Sequence, residues 1–237
     1  MTTDTKVTET KSFEADVSRL LHMMVHSVYS DRDVFLRELV SNAADACEKL
    51  RYDAISNPEL LGDDPRPRIT IAADPDTKQL VVEDNGIGMG RDELAEALGT
   101  IARSGTRAFM ERAEAAKSGE DAQLIGQFGV GFYSAFMVAD KLEVISRPAG
   151  GYEAWRWSSD CKGAFEIGPA ALHAAPRRGT RVVLHLMEDA ASYTEPYRLE
   201  QLVKSQSGHL PVPSSLVGKP GAEARHIAAG TALWGRP

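Results

Sequence analysis

The stretch Phe35-Leu36-Arg37-Glu38-Leu39-Val40-Ser41-Asn42-Ala43-Ala44-Asp45-Ala46 carries two patterns at once. Phe35, Leu36, Leu39, Val40, Ala43, Ala46, Cys47 and Leu50 recur in steps of three and four. That spacing predicts an amphipathic helix over about residues 33–55, with Asp31 as its N-cap. Glu38, Asn42, Asp45 and Lys49 are spaced four, three and four. At helical pitch they share a polar stripe roughly 60° wide, away from the apolar face. By itself the stripe reads first as a solvated helix face with two side-chain pairs, and the functional reading is a surface turned to a ligand. If it faces a ligand, Asn42 offers an amide oxygen suited to a hard cation such as Mg²⁺. Glu38, one turn away, would position or deprotonate a water.

Outward from this helix, Pro58, Gly62, Pro65 and Pro67 mark a loop. Ile69 and Ile71, then Leu80 and Val82, alternate with polar partners around Asp74-Pro75-Asp76, a hairpin pattern. Asp84 continues the Leu80-Val82 alternation, so its carboxylate points inward with the apolar residues. A half-buried carboxylate needs a donor. It would take an exocyclic amino group, as on adenine, or cap its own turn. The glycines of Asp84-Asn85-Gly86-Ile87-Gly88 would let a ligand approach the backbone closely. Short helices are predicted near 91–98 and 106–117, and 119–121 has the character of a lid tip. Gly126, Gly129 and Gly131 precede a predicted helix over 132–139. Free amides there would form an anion site, and a flexible hinge is the other reading. Strands are predicted at 142–145, 152–157, 165–167 and 180–186, with Thr180 on the inward face of the last. Pro196 opens a helix to about 209, and the Gly/Ala/Pro-rich tail after Pro211 reads as a linker. The class is α/β, in the α+β two-layer sense, with one sheet covered by helices.

Composition narrows the function. The chain has 237 residues, 43% hydrophobic and 26% charged, which suits a globular domain with its own core. Its net charge of -7 disfavours a nucleic-acid backbone as partner. Cys47 and Cys161 are the two cysteines, so no disulfide framework is expected and a reducing, cytoplasmic setting is. No apolar run is long enough to span a membrane, and residues 1–10 lack the apolar core of a signal peptide. His22 and His26 have no Glu between them, so they do not form a zincin motif. Trp155 and Trp157 read as core residues.

In order, a Glu-x-x-x-Asn helix, an Asp-x-Gly-x-Gly loop, a glycine-rich segment and a Gly-Thr strand resemble the ATP-binding superfamily of gyrase, heat-shock chaperones, histidine kinases and MutL. The opening string, Leu98-Gly99-Thr100-Ile101-Ala102-Arg103-Ser104-Gly105-Thr106 and Ile125-Gly126-Gln127-Phe128-Gly129-Val130-Gly131-Phe132-Tyr133-Ser134-Ala135-Phe136 narrow this. Together they resemble bacterial members of the ninety-kilodalton heat-shock chaperones, over about residues 13–237.

The resemblance implies a mixed, largely antiparallel sheet with helices on one face. It also implies an ATP/ADP site with Mg²⁺. Asp84 would accept from the adenine amino group, with Thr180 and Gly88 completing a water-bridged edge. Met89 and Leu98 would line the base pocket. Asn42 would hold the metal, with Asp45 and Lys49 on the same face. Arg103 and the amides of Gly126, Gln127, Phe128, Gly129, Val130, Gly131 and Phe132 would reach the phosphates and sugar. Glu38 would orient the attacking water, steadied by Arg37. Arg103 stands where the family usually has Lys, and Ala97 where relatives often carry a polar residue.

The implied organisation is a flexible or strand-like segment 1–12, an ATP-binding domain 13–213, and a linker 214–237 leading towards a middle domain. That middle domain supplies a catalytic Arg, and a further domain makes the homodimer. Residues 1–237 would then be a monomeric N-terminal domain of a chaperone acting on unfolded clients. A sensor kinase would need a phospho-acceptor His with an acidic neighbour, which His22 and His26 lack. A DNA-acting ATPase would call for a basic surface. A nucleotide-gated module without turnover is the other alternative, against which Glu38 speaks.

Overall fold

The computed structural model describes residues 7–12, 32–99, 131–160, 164–207, 212–218 and 225–228. The helix predicted over 106–117 lies outside them, as does the lid tip. So do Asp31, Arg103, Gly126, Gln127, Phe128, Gly129 and Val130.

The helix read from the opening string is α1, Val34–Ser56. Its N-terminal flank is Asp33, whose side chain makes no cap bond. That carboxylate instead accepts from the Tyr193 hydroxyl and from Arg198. Phe35, Leu36, Leu39, Val40, Ala43, Cys47 and Leu50 are buried, while Asn42, Asp45 and Lys49 are exposed. The two patterns in one stretch are thus two faces of one helix.

The hairpin is β2, Ile69–Asp74, and β3, Gln79–Asp84, with Ile71 opposite Val82. Beyond the short helix α2, Arg91–Gly99, follow β4, Ala139–Arg147; β5, Ala154–Ser159; β6, Ala164–Ala170; and β7, Gly179–Leu186. With β1, Glu9–Ser12, β8, Ser214–Val217, and β9, Arg225–Ala228, they form one sheet, ordered β1-β6-β5-β4-β7-β3-β2-β8-β9. Every pairing is antiparallel except that of β2 with β8. The sheet is therefore mixed and largely antiparallel, as the resemblance implied.

The core fills the space between the sheet and α1, α2 and α3 (Pro196–Ser207), with Trp157, Phe35, Phe136, Leu36, Ile69, Ile71, Leu80 and Leu94 fully buried. On the opposite face lie polar ladders such as Arg156–Glu143–His185 and Arg181–Glu83.

Two expectations are corrected. Residues 131–137 form a 3₁₀ helix, after which the chain enters β4 at Ala139. Tyr133 through Ala139 are all buried, and an apolar run without a polar side carries no period by which to separate helix from strand. The tail read as a linker contains β8, Ser214–Val217, and β9, Arg225–Ala228. Four-residue strands among Gly and Pro show too little alternation to register, yet Ser214 and Leu216 point inward.

Candidate functional site

Three adjacent strands direct their inward rows at one end of the sheet. Leu80, Leu184 and Leu142 lie side by side on β3, β7 and β4, and Val82, Val182 and Val144 form the next row. One step further the residues are Asp84, Thr180 and Ser146, all buried. The apolar rows stop and a polar row begins, where the strands meet the helix layer.

Asp84 is 6% exposed. Its Oδ1 accepts the Gly86 N–H at 2.8 Å. Burial pushes its carboxyl up to about 7, against the pull of the Gly86 and Thr180 amides. A buried acid without a cation beside it is costly to ionise, and it keeps its acceptor capacity for an incoming donor.

The loop after Asp84 is pinned on every side. The Ile87 N–H donates to the Ala46 carbonyl of α1 at 3.0 Å, and the Ala149 N–H donates to the Ile87 carbonyl at 2.8 Å. Gly86 lies so close to α1 that a Cβ would come within 2.5 Å of the Ala46 carbonyl carbon. Gly88 has φ +66°, and a Cβ there would meet the Arg147 carbonyl oxygen at 2.1 Å. The Met89 N–H donates to Ser146 Oγ at 2.9 Å. The glycine loop after Asp84 is thereby held against α1 at Ala46 and Cys47, one turn from Asn42.

Glu38 is part-buried on the same helix. Arg37 holds it through Nη2 and Nε at 3.1 and 3.2 Å. A Cβ on Gly131 would fall 2.4 Å from Glu38 Oε2, so the chain leaving the glycine-rich segment rests on this carboxylate. Phe132 is part-buried, with its ring edge-on to Tyr133 and Trp157. Leu98 belongs to the core, and its carbonyl accepts from the Tyr133 hydroxyl at 3.0 Å. Lys49 is exposed one turn beyond Asp45.

Sequence reasoning passed over a set of buttresses. Ser146 is fully buried and joins Met89, Gly179 and Thr180. Its signal was available: Leu142, Val144 and Ser146 alternate inward as Leu80, Val82 and Asp84 do. The Asn85 side chain accepts the Arg68 N–H at 2.8 Å and donates to the Arg66 carbonyl at 2.8 Å. Arg178, 8% exposed, donates to the carbonyls of Asn85, Leu61 and Asp64. No local pattern marks those two, because their partners are 17 to 117 residues away.

This fold agrees with the comparisons to known proteins. The chain belongs to the histidine kinase-, DNA gyrase B- and HSP90-like ATPase family, which matches residues 29–167. Over 237 residues, all of this chain, it is 78% identical to the chaperone protein HtpG of Mesorhizobium japonicum and covers 37% of that protein. It is 68% identical over 229 residues to HtpG of Nitrobacter winogradskyi, covering 97% of this chain and 36% of the relative. With HtpG of Rhodospirillum rubrum the identity is 52% over 231 residues, at 97% and 36% coverage. The chain spans little more than a third of the length of these curated relatives. The likeness to the ninety-kilodalton heat-shock chaperones is borne out.

Proposed function

We propose that residues 1–237 bind ATP and hydrolyse it slowly, as the N-terminal domain of a molecular chaperone that assists protein folding under stress. The observation that carries this reading is the buried Asp84 acceptor, unpaired with any cation among the described residues, at the mouth of a glycine loop braced on α1. Asp84 takes the adenine amino group, with Thr180 and Gly88 at the same edge and Met89 beside them. Leu98 supports the pocket from the core. Asn42, exposed one turn from Glu38, fits a Mg²⁺ shared with the phosphates, because it offers a single amide oxygen. Among the described residues no cluster of three His, Cys, Asp or Glu makes a protein cage for a metal. When bound, the metal neutralises phosphate charge. Asp45 and Lys49 flank that face. Arg103 and the 126–132 amides complete the phosphate contacts.

Glu38 orients the attacking water and accepts its proton. Arg37 holds the carboxylate in place through Nε and Nη2. Gly131 rests on Glu38, so closure of the glycine-rich segment on nucleotide is sensed at the hydrolytic carboxylate. In the whole protein, closure favours association of N-terminal domains in a homodimer that acts on unfolded clients. Cys47 is a buried free thiol, in keeping with a cytoplasmic setting. No helix among the described residues is long and apolar enough to cross a membrane.

The test pairs calorimetric titration of ADP with Mg²⁺ against ATP turnover, in the native chain and in Glu38→Ala. The variant should keep its ADP affinity within about twofold and lose measurable hydrolysis. Absence of ADP binding to the native chain at millimolar ligand rejects the nucleotide reading. Unchanged turnover in the variant returns Glu38 to a solvated helix face.

A further inference from the structure

The polar row that ends strands β3, β7 and β4 contains a hydroxyl pair whose polarity follows from counting. A serine hydroxyl has one proton and two lone pairs. Ser146 Oγ has three polar neighbours: Met89 N at 2.9 Å, the Gly179 carbonyl at 3.1 Å and Thr180 Oγ1 at 2.9 Å. The Met89 amide only donates, so it occupies one lone pair. The Gly179 carbonyl only accepts, so it takes the proton. The lone pair left over admits Thr180 solely as a donor. Ser146 is fully buried, so no bulk water competes for these positions.

The consequence lies on the other side of Thr180. Its one proton is committed to Ser146, and only lone pairs remain for anything else it meets. Asp84, its neighbour in the row, is acceptor-only when ionised. We propose that Ser146 is a positioning residue that sets base specificity: by holding the Thr180 proton inside the sheet, it makes Asp84 and Thr180 an all-acceptor edge that admits a purine with an amino group at the six-position and rejects one with an oxo group there. This inference rests on the adenine-nucleotide reading above. Ser146 touches no ligand. It acts through the Thr180 hydroxyl and through the Met89 amide, which it also keeps turned away from the base.

The experiment measures the dissociation constants of ADP and of inosine diphosphate, the six-oxo analogue, with Mg²⁺ at pH 8, where Asp84 is largely ionised. Ser146→Ala releases the Thr180 proton, so the ratio of the two constants should narrow by about tenfold or more, mainly through tighter binding of inosine diphosphate. Ser146→Thr, which retains a hydroxyl, should hold the native ratio. The double variant Ser146→Ala/Thr180→Val, which deletes the released donor, should reject inosine diphosphate again. A merely structural role for Ser146 would weaken both nucleotides alike, and an unchanged ratio in Ser146→Ala overturns the proposal. If Ser146→Ala shows no cooperative unfolding, Thr180→Val alone decides. Loss of one acceptor should then narrow the ratio severalfold through weaker ADP binding, and an unchanged ratio again overturns the idea. A native chain that binds neither nucleotide fails differently, since it rejects the adenine reading itself and this inference with it.

Discussion

Replacing Asp84 by Asn should separate the stability of this domain from its function. The carboxyl is moved from an ordinary 3.8 to about 7 by burial. A folded-state value above the unfolded one means that the folded chain holds its proton more tightly. Asp84 therefore costs nothing below about pH 3.8, and its cost grows as pH rises towards 7, where it levels off. With about 1.36 kcal/mol per unit, that cost is about 2 kcal/mol at pH 5 and about 4 kcal/mol at pH 8. Asn carries no charge at either pH, and its amide oxygen can still accept the Gly86 N–H. The variant without ligand should thus gain stability over the native chain, and the gain should grow by about 2–3 kcal/mol between pH 5 and pH 8. Nucleotide binding should move the opposite way. The amide nitrogen would confront the adenine amino group, donor against donor, and ADP affinity should fall by about 100-fold or more. Urea unfolding of both proteins at the two pH values, with ADP titrations alongside, reads both effects. A stability difference independent of pH would refute the burial argument. ADP affinity within a factor of two of native would remove Asp84 from the adenine site.

Two glycines give sharper tests of geometry. Gly131→Ala places a methyl group 2.4 Å from Glu38 Oε2, against a side-chain end that can rotate away. Fold stability and ADP binding should change little while single-turnover hydrolysis slows by about 10–100-fold, and an unchanged rate would detach Glu38 from the chemistry. Gly88→Ala meets backbone instead, with φ +66° and the Arg147 carbonyl oxygen at 2.1 Å. It should lower the free energy of unfolding by about 2–4 kcal/mol and abolish binding, as read by the urea midpoint and by titration.

The sequence by itself determined which residues face inward. Period 3.6 over 34–50 divided α1 into a buried face and a polar stripe, and period 2 placed Asp84 and Thr180 on the core side of their strands. The glycines after Asp84 suggest close approach of a ligand to the backbone, and in the structure Gly86 and Gly88 instead lie against the protein's own backbone at Ala46 and Arg147. Tertiary structure alone decided which inward residues become neighbours. Periodicity assigns a side chain to a face, whereas the register of β3, β7 and β4 sets Asp84, Thr180 and Ser146 in one row across about a hundred residues of chain. The parallel pairing of β2 with β8 turned an apparent linker into part of the sheet, because a four-residue strand is specified by the edge it joins more than by its own alternation. Arg178 has no periodic partner near it in sequence, and its guanidinium is satisfied by three carbonyls that converge only after the sheet has closed around them.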